Sequence, residues 1–239
     1  EDGHWLWRSH IDLASPQRRP WAFLRRFVLR HDAAVFSLPA FAQQLAIPQF
    51  LVYPSIDPLA DKNRELEPSE IETLLAPLGI PRDRPIVLQV SRFDRFKDPM
   101  GVINAYRMVK PYHDCVLVLA GGGADDDPEG ARVLAAVRDA AARDSDIHVL
   151  DLPPDAHLTI NALQRTATIV LQKSTREGFG LTVSEAMWKG KPVIGGATGG
   201  ITTQILPGVT GYTVSSVEGC AYWARHLLAH PAAAARLGA

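Results

Sequence analysis

The sequence predicts an α/β fold of doubly wound parallel sheets, and two observations lead to that prediction. From Pro85 onward, short apolar runs recur along the chain, at residues 86–90, 116–120, 147–150, 169–172, 193–195 and 212–214. Segments with helical patterning separate most of these runs, at residues 99–110, 129–142, 156–165 and 181–189. Short apolar runs separated by helices are typical of parallel strands that are buried on both faces. Ligands of such sheets bind beyond the carboxyl ends of the strands, so the loops at those ends are candidate sites.

The first 60 residues repeat this alternation on a smaller scale. Strands are predicted at residues 6–11, 33–37 and 50–52, with a helix over 16–29. Two prolines and the polar run 61–65 then interrupt the pattern, as an interdomain linker does. We therefore expect residues 1–60 to be the remnant of an N-terminal domain with its hinge, and residues 61–239 to be a nearly complete second domain. Because the chain begins in a strand pattern and ends in an alanine-rich helix, we expect it to be part of a longer protein with a truncated terminal helix.

The composition excludes several classes of function. Of the 239 residues, 46% are hydrophobic and 21% charged, and the formal net charge is −1. A nearly neutral chain has no global field that would recruit nucleic acid or an anionic membrane. The two cysteines, Cys115 and Cys220, fit no metal or redox spacing. No apolar run approaches the roughly 18 residues that a membrane span needs, so we expect a cytoplasmic protein.

The stretch 177–186 carries the most chemical information. Glu177 opens a glycine-flanked turn, and Glu185 follows inside the predicted helix. A glycine turn that leads into a helix start leaves backbone N–H groups free to donate to a ligand. Amide donors beside carboxylate acceptors suit a ligand that carries both phosphate and sugar hydroxyls. This stretch therefore predicts a nucleotide-sugar site.

Two cations follow the first strand of the second domain. Arg92 and Lys97 lie in the predicted strand-to-helix loop, and Pro99 stands in the first turn of the helix. An Arg fork grips phosphate oxygens in pairs, and Lys supplies a compact positive charge. The alternative is that both are solvated loop cations. Their position at a strand end, in register with the two glutamates, favours phosphate binding.

Two small-residue loops also follow strands. Gly121–Gly123 would let a ligand approach the backbone, although glycines serve any tight turn equally well. The acidic run 125–127 is better explained as a solvated helix start than as a metal site. The loop 195–201 would either admit a phosphate or sugar ring to its amides or give clearance to the neighbouring domain, and the sequence leaves both open.

Three further polar residues lie near the predicted site. Lys173 and Arg176 flank the strand end before Glu177, where each would neutralise a leaving diphosphate or pair with a glutamate. His10, near the end of the first strand, would face the cleft, although a lone histidine is more often structural.

In order along the chain, these segments resemble the retaining glycosyltransferases of family 4, which have the two-domain GT-B fold. The resemblance covers residues 85–215 and is carried by the Ser91–Asp98 loop, the Gly121–Gly123 turn, the pair Glu177 and Glu185, and the Gly199–Ile201 loop. The stretches 32–37, 54–58 and 149–155 are especially similar to the trehalose-forming members, which join the glucose of a nucleoside-diphosphate glucose to free glucose.

The resemblance implies roles for single residues. Arg92 and Lys97 would hold the donor diphosphate, and Glu177 would lie beside the transferred sugar, so these three form the expected catalytic group. The donor-binding positions would be Gly122, Gly178, Phe179, Gly180, Leu181 and Glu185, with Glu185 accepting from the ribose diol. His10 would lie on the acceptor side. The resemblance requires no metal and no cofactor, and it leaves a homodimer open.

Two departures bear on the donor. The chain has Thr202-Thr203-Gln204 where such enzymes commonly have an acidic residue, and Gln172-Lys173-Ser174 where many have Pro-Ser. The rival interpretations are a sucrose or glycogen synthase-like hexosyltransferase and a donor-binding fragment without activity. A nucleotide-dependent oxidoreductase would need a Gly-x-Gly-x-x-Gly turn, which does not follow Val90.

Overall fold

The computed structural model describes residues 3–122 and 128–238. Within these ranges the strands form two parallel sheets, one of three strands and one of six. The strands are β1 (Leu6–Arg8), β2 (Ala33–Phe36), β3 (Gln49–Leu51), β4 (Ile86–Val90), β5 (Val116–Gly121), β6 (Ile147–Asp151), β7 (Ile169–Gln172), β8 (Val193–Gly196) and β9 (Gly211–Val214). The strand prediction is therefore confirmed, with shifts of a few residues at the ends.

Helices connect the strands and cover both faces of the larger sheet. They are α1 (Arg18–Val28), α2 (Pro68–Leu75), α3 (Pro99–Val109), α4 (Pro128–Ala141), α5 (His157–Thr166), α6 (Leu181–Trp188), α7 (Ile201–Gln204), α8 (Val217–Ala229) and α9 (Pro231–Gly238). Helices α3, α4, α8 and α9 pack on one face around the buried Tyr106. Helices α2, α5, α6 and α7 cover the other face. None of the helices in the described ranges is long and apolar enough to cross a membrane.

The order of the larger sheet shows where a ligand would bind. Its strands run β6-β5-β4-β7-β8-β9, all parallel, so the winding direction reverses between β4 and β7. Such a reversal opens a crevice at the carboxyl ends of the two central strands. The Arg92–Lys97 loop follows β4, and the turn with Glu177 follows β7. The fold therefore places both predicted motifs on the two sides of this crevice.

The small sheet lies against one of those motifs. Its strands follow the order β1-β2-β3, and its core is built around Phe36 and Phe41. Phe179, from the turn after β7, packs against that core. Arg176 of the same turn donates from Nε to the Asp12 carboxylate at 2.9 Å. The two sheets thus meet at the Glu177 turn.

The sequence prediction missed helix α2 between the two sheets. Pro68 starts this helix, and Glu67 and Glu70 form a reciprocal capping box at its first turn. Glutamate is an unusual N-cap residue, so the start of this helix is not evident from the sequence. A domain boundary near residue 60 stays a prediction.

Candidate active site

An ion pair between the two motifs lies at the centre of the crevice. Lys97 Nζ lies 2.5 Å from Glu177 Oε2, and the two side chains are only 17% and 10% exposed. Water screens an enclosed pair of this kind far less than it screens a surface pair. The structure therefore brings together a cation and a carboxylate that stand 80 residues apart in the sequence.

Three further donors fix the Glu177 carboxylate. Gln172 Nε2 and Ser174 Oγ donate to Oε2 at 3.2 and 3.1 Å, and the amide of Gly178 donates to Oε1 at 3.1 Å. The carboxylate is thus held in one orientation by groups from the end of β7 and the turn that follows it. The Gly178 amide, expected to face a donor sugar, bonds to Glu177 in the structure.

Three hydrogen bonds fix the backbone of the loop that carries Lys97. Asp94 caps the single turn at residues 95–97 by accepting from the amides of Phe96 and Lys97 at 2.9 and 3.1 Å. The buried Gln89 side chain donates to the Lys97 carbonyl at 2.7 Å. These contacts fix the backbone at Lys97, and the ion pair with Glu177 holds its ammonium beside the crevice.

Of the two predicted cations, Arg92 and Lys97, Arg92 is the exposed one. Its side chain is 65% exposed, and its guanidinium lies 3.1 Å from Asp94 Oδ2. An exposed contact of this kind contributes little to stability. The guanidinium is therefore accessible to a ligand in the crevice.

Glu185 is almost fully enclosed. Its side chain is 5% exposed; Lys62 Nζ lies 2.9 Å from Oε1, and Gln164 Nε2 donates to Oε2 at 3.1 Å. The neighbouring Lys189 donates to the Glu185 carbonyl at 3.2 Å, and burial lowers the pKa of this lysine to about 8. Lys62 belongs to the predicted linker, residues 61–65, so a segment outside both sheets contributes to this part of the site.

Three cavities join these residues into one cleft. Arg92 and Lys97 line two of them, of about 370 and 420 Å³. Lys97 also lines a third of about 300 Å³, together with Glu177 and Glu185. The cavities share lining residues, Lys97 among them, so all four predicted charged residues line one set of adjoining cavities at the carboxyl edge of the sheet.

Two glycines of the site, Gly122 and Gly199, lie directly against backbone atoms. A Cβ at Gly122 would lie 2.6 Å from the Leu152 carbonyl oxygen. At Gly199, which has a φ of 49°, a Cβ would lie 1.8 Å from the Glu177 carbonyl oxygen. The amide of Gly200 also donates to the Gly178 carbonyl at 3.0 Å. The loop 195–201 thus supports the Glu177 turn, a third explanation that the sequence analysis did not consider. Gly123 and the acidic run 125–127 lie outside the described residues.

Helix α6 starts at the edge of the third cavity. Gly180 is its N-cap with a φ of 84°, and both Gly180 and Leu181 line that cavity. Phe179 lines it too, and its ring centroid lies 6.1 Å from that of Tyr53. The structure therefore brings the predicted donor-binding residues of this turn to the cleft that holds Lys97.

His10 lies beside the cleft, as the sequence predicts, and Lys173 and Arg176 both pair with aspartates. His10 lines two of the cavities and is exposed. Lys173 is almost buried and pairs with Asp98, the N-cap residue of α3. Of the two roles that the sequence left open for Lys173 and Arg176, the structure does not show pairing with a glutamate, because each pairs with an aspartate, Asp98 and Asp12.

The described ranges contain no group of three or more His, Cys, Asp or Glu side chains arranged to hold a metal ion. Cys115 and Cys220 are both buried, and burial raises their thiol pKa values to about 11 and about 12. Neutral buried thiols of this kind pack as small hydrophobic side chains.

Several residues that shape the site were not predicted from the sequence. Lys62, Gln172 and Asp94 contact its charged groups directly. Asp94 stands three residues before Lys97. An aspartate at that spacing commonly caps a turn, so its role could have been predicted from the sequence. Nothing in the polar run 61–65 indicated that Lys62 would reach Glu185.

Comparison with known proteins gives the family. The family model described as "Glycosyl transferases group 1" matches residues 70–221, and the model "Trehalose synthase, N-terminal domain" matches residues 1–43. Trehalose synthase of Pyrococcus horikoshii is 46% identical over 98% of this chain, and that of Rubrobacter xylanophilus is 39% identical over the whole chain. The chain spans 58% of the length of each of these relatives.

A solved structure agrees with this relationship at the level of the fold. Anabaena Alr3699/HepE, in complex with UDP and glucose, superposes with a TM-score of 0.81 at 18% identity. The superposition covers 98% of this chain and 64% of that one. The predicted GT-B-type fold is thereby confirmed. With a family model matched over more than half of its residues, the chain belongs to the glycosyl transferases group 1 family.

Proposed function

We propose that this chain binds a nucleoside-diphosphate glucose in the cleft at the carboxyl edge and transfers glucose, with retention, to free glucose to form trehalose. The observation that carries the proposal is the enclosed Lys97–Glu177 pair, which lies in cavities that Arg92 and Glu185 also line. Relatives named trehalose synthase, 39–46% identical to the chain, support the choice of acceptor.

The two cations suit a diphosphate. Arg92 presents an accessible guanidinium and Lys97 a fixed ammonium on the wall of one 370 Å³ cavity. A planar guanidinium binds phosphate oxygens in pairs, and an ammonium adds a point charge. The structural neighbour from Anabaena is described as a complex with UDP and glucose, which favours the same class of ligand here.

The carboxylates suit the sugar parts of the donor. Glu185 accepts from the ribose diol, and Glu177 lies beside the transferred glucose. The amides at Phe179, Gly180 and Leu181, where α6 begins, add donors toward hydroxyl and phosphate oxygens. Gly122 lines the 370 Å³ cavity together with the two cations, and His10 lies on the side where the acceptor enters.

Transfer begins when the bond between glucose C1 and the phosphate oxygen breaks. Negative charge then develops on the departing diphosphate, and Arg92 and Lys97 stabilise it most strongly at that stage, which lowers the barrier. The acceptor hydroxyl attacks C1 from the same face and gives its proton to the leaving phosphate oxygen. The step needs no carboxylate nucleophile, and Glu177, held by four donors including Lys97, acts as a binding group.

Binding and turnover test the proposal separately. We expect calorimetric titration to give saturable binding of UDP-glucose, ADP-glucose or GDP-glucose, and a product assay with free glucose to give trehalose. Binding without product would favour a donor-binding fragment. Product with fructose or a glucan, but not with glucose, would favour a sucrose or glycogen synthase-like enzyme.

A further inference from the structure

The linker segment 61–64 is fixed onto the large domain through its own backbone. Asn161 Nδ2 donates to the carbonyls of Asp61 and Arg64 at 2.9 and 2.8 Å. Arg165 Nη2 donates to the Arg64 carbonyl at 2.9 Å, and the Trp188 indole donates to the Asn63 carbonyl at 3.3 Å. Side chains of α5 and α6 therefore hold this segment in place, and the position of Lys62 follows from these backbone contacts.

From this position the Lys62 side chain extends into the cleft. Its ammonium lies 2.9 Å from Glu185 Oε1, and its side chain is 32% exposed. Lys62 lines the 370 Å³ cavity together with Arg92 and the 300 Å³ cavity together with Glu185. It thus lies at the junction between the cations and the carboxylate of the proposed donor site.

Glu185 needs a cation at this position. A carboxylate that is 5% exposed is costly to bury unless it is paired and hydrogen-bonded. Lys62 is its partner on Oε1, and Gln164 donates to Oε2. An ionised carboxylate offers about four acceptor sites, so hydroxyl groups can still bind while both contacts remain.

We propose that Lys62 is a positioning residue of the donor site, through which the linker holds the Glu185 carboxylate in place for the two ribose hydroxyls. The inference rests on the proposed function, because it takes the nucleotide to bind in this cleft. The linker thereby forms one wall of the nucleotide end of the site.

The test compares ligands with and without the diol. UDP, ADP and GDP are titrated calorimetrically, and the one that binds most tightly is compared with its 2′,3′-dideoxy form. In Lys62→Met we expect the affinity for the full nucleotide to fall about tenfold or more, which corresponds to about 1.4 kcal/mol. The affinity for the dideoxy form should change by less than about twofold, because it lacks the hydroxyls that Glu185 accepts.

Three further variants sharpen the test. Lys62→Arg keeps the charge and should retain most of the affinity. In a Glu185→Gln background, Lys62→Met should have little further effect, because the two residues act as a unit. Lys191→Met is the matched control: it is the same substitution, placed just before β8 at the opposite edge of the sheet, and should leave both affinities unchanged.

The outcomes separate the two proposals. If none of the nucleotides binds the unsubstituted chain, the proposed function itself fails. Suppose that a nucleotide binds the unsubstituted chain. If Lys62→Met then leaves its affinity unchanged, or lowers the affinities for the full and the dideoxy nucleotide equally, the inference is overturned. Tighter binding in Lys62→Met would also overturn it, because Lys62 would then compete with the ribose for Glu185. Thermal unfolding identifies a misfolded Lys62→Met, in which case Lys62→Arg and Glu185→Gln decide.

Discussion

The amino edge and the carboxyl edge of the six-stranded sheet both carry clusters of cations and carboxylates, but the ion pairs in the two clusters are arranged differently. At the amino edge, Arg84 bridges Asp114 and Asp146 at 2.7 and 2.8 Å. Lys110 bridges Asp144 and Asp146 at 2.5 and 2.9 Å. Each cation of this cluster thus contacts two carboxylates.

At the carboxyl edge the cations are arranged differently. Arg92 has one short contact with a carboxylate, to Asp94, and Lys97 one to Glu177; both also line cavities. At the amino edge each cation is shared between two carboxylates, whereas at the carboxyl edge Arg92 and Lys97 each have one carboxylate partner and also line a cavity. The residue types alone do not distinguish a structural cluster from a binding site; the adjoining cavity does.

The largest effect is expected when either cation of the carboxyl edge is removed. Arg92→Ala and Lys97→Ala should each lower trehalose formation from UDP-glucose and glucose by about 10²-fold or more, because each removes a charge that stabilises the departing diphosphate. The chain supplies a matched control in Arg95, which is 66% exposed, as Arg92 is 65%, but contacts Glu129 on α4. Arg95→Ala should keep near-normal turnover. Equal losses in Arg92→Ala and Arg95→Ala would contradict the assigned role.

The next effect tests the support beneath the Glu177 turn. Gly199→Ala and Gly208→Ala both place a Cβ on a left-handed residue, with φ values of 49° and 77°. Only at Gly199 does that Cβ meet backbone, 1.8 Å from the Glu177 carbonyl oxygen, whereas Gly208 has nothing within 4 Å. Gly199→Ala should therefore cost about 1–3 kcal/mol more in free energy of unfolding, measured by urea denaturation, and should also weaken donor binding. Equal costs for the two variants would mean that the turn does not depend on this contact.

A smaller effect is expected at the amino edge. Asp146→Asn removes the carboxylate that Arg84 and Lys110 share, and it should lower the free energy of unfolding by on the order of 1 kcal/mol. The affinity for the donor should not change, because the cluster lies at the opposite end of the strands. A loss of donor affinity in correctly folded Asp146→Asn would remove the contrast between the edges.

The smallest effect is the acid sensitivity of the same cluster. Hydrogen bonds from Arg84 and then Lys110 lower the pKa of Asp146 from 3.8 to about 2. Because the pKa is lower in the folded state, the stabilisation is fully present above about pH 4 and is lost as the pH falls toward 2. Free energies of unfolding measured across this range should fall less steeply in Asp146→Asn than in the unsubstituted chain. Identical slopes would show that Asp146 does not contribute.

The sequence predicted those parts of the site that depend on local order along the chain. Arg92 and Lys97 follow one strand and Glu177 another, so a parallel sheet brings them to the same edge, as the structure shows. The strand pattern was equally readable, because buried parallel strands are apolar on both faces.

Contacts between distant segments were not readable in the same way. Lys173 pairs with Asp98, 75 residues away, because the ends of two adjacent strands set their distance. Lys62 reaches Glu185 only because α5 and α6 fix the backbone of the linker. Neither hydrophobic periodicity nor a short motif indicates which side chains from distant segments lie close together. These ion-pair partners can therefore be identified only from the structure.

The most direct measurement is a crystal structure of the chain with bound UDP-glucose. The donor site that we propose requires diphosphate oxygens within about 3 Å of both Arg92 and Lys97 and ribose hydroxyls on Glu185. A nucleotide bound elsewhere, with the Lys97–Glu177 pair facing an empty cleft, would contradict it.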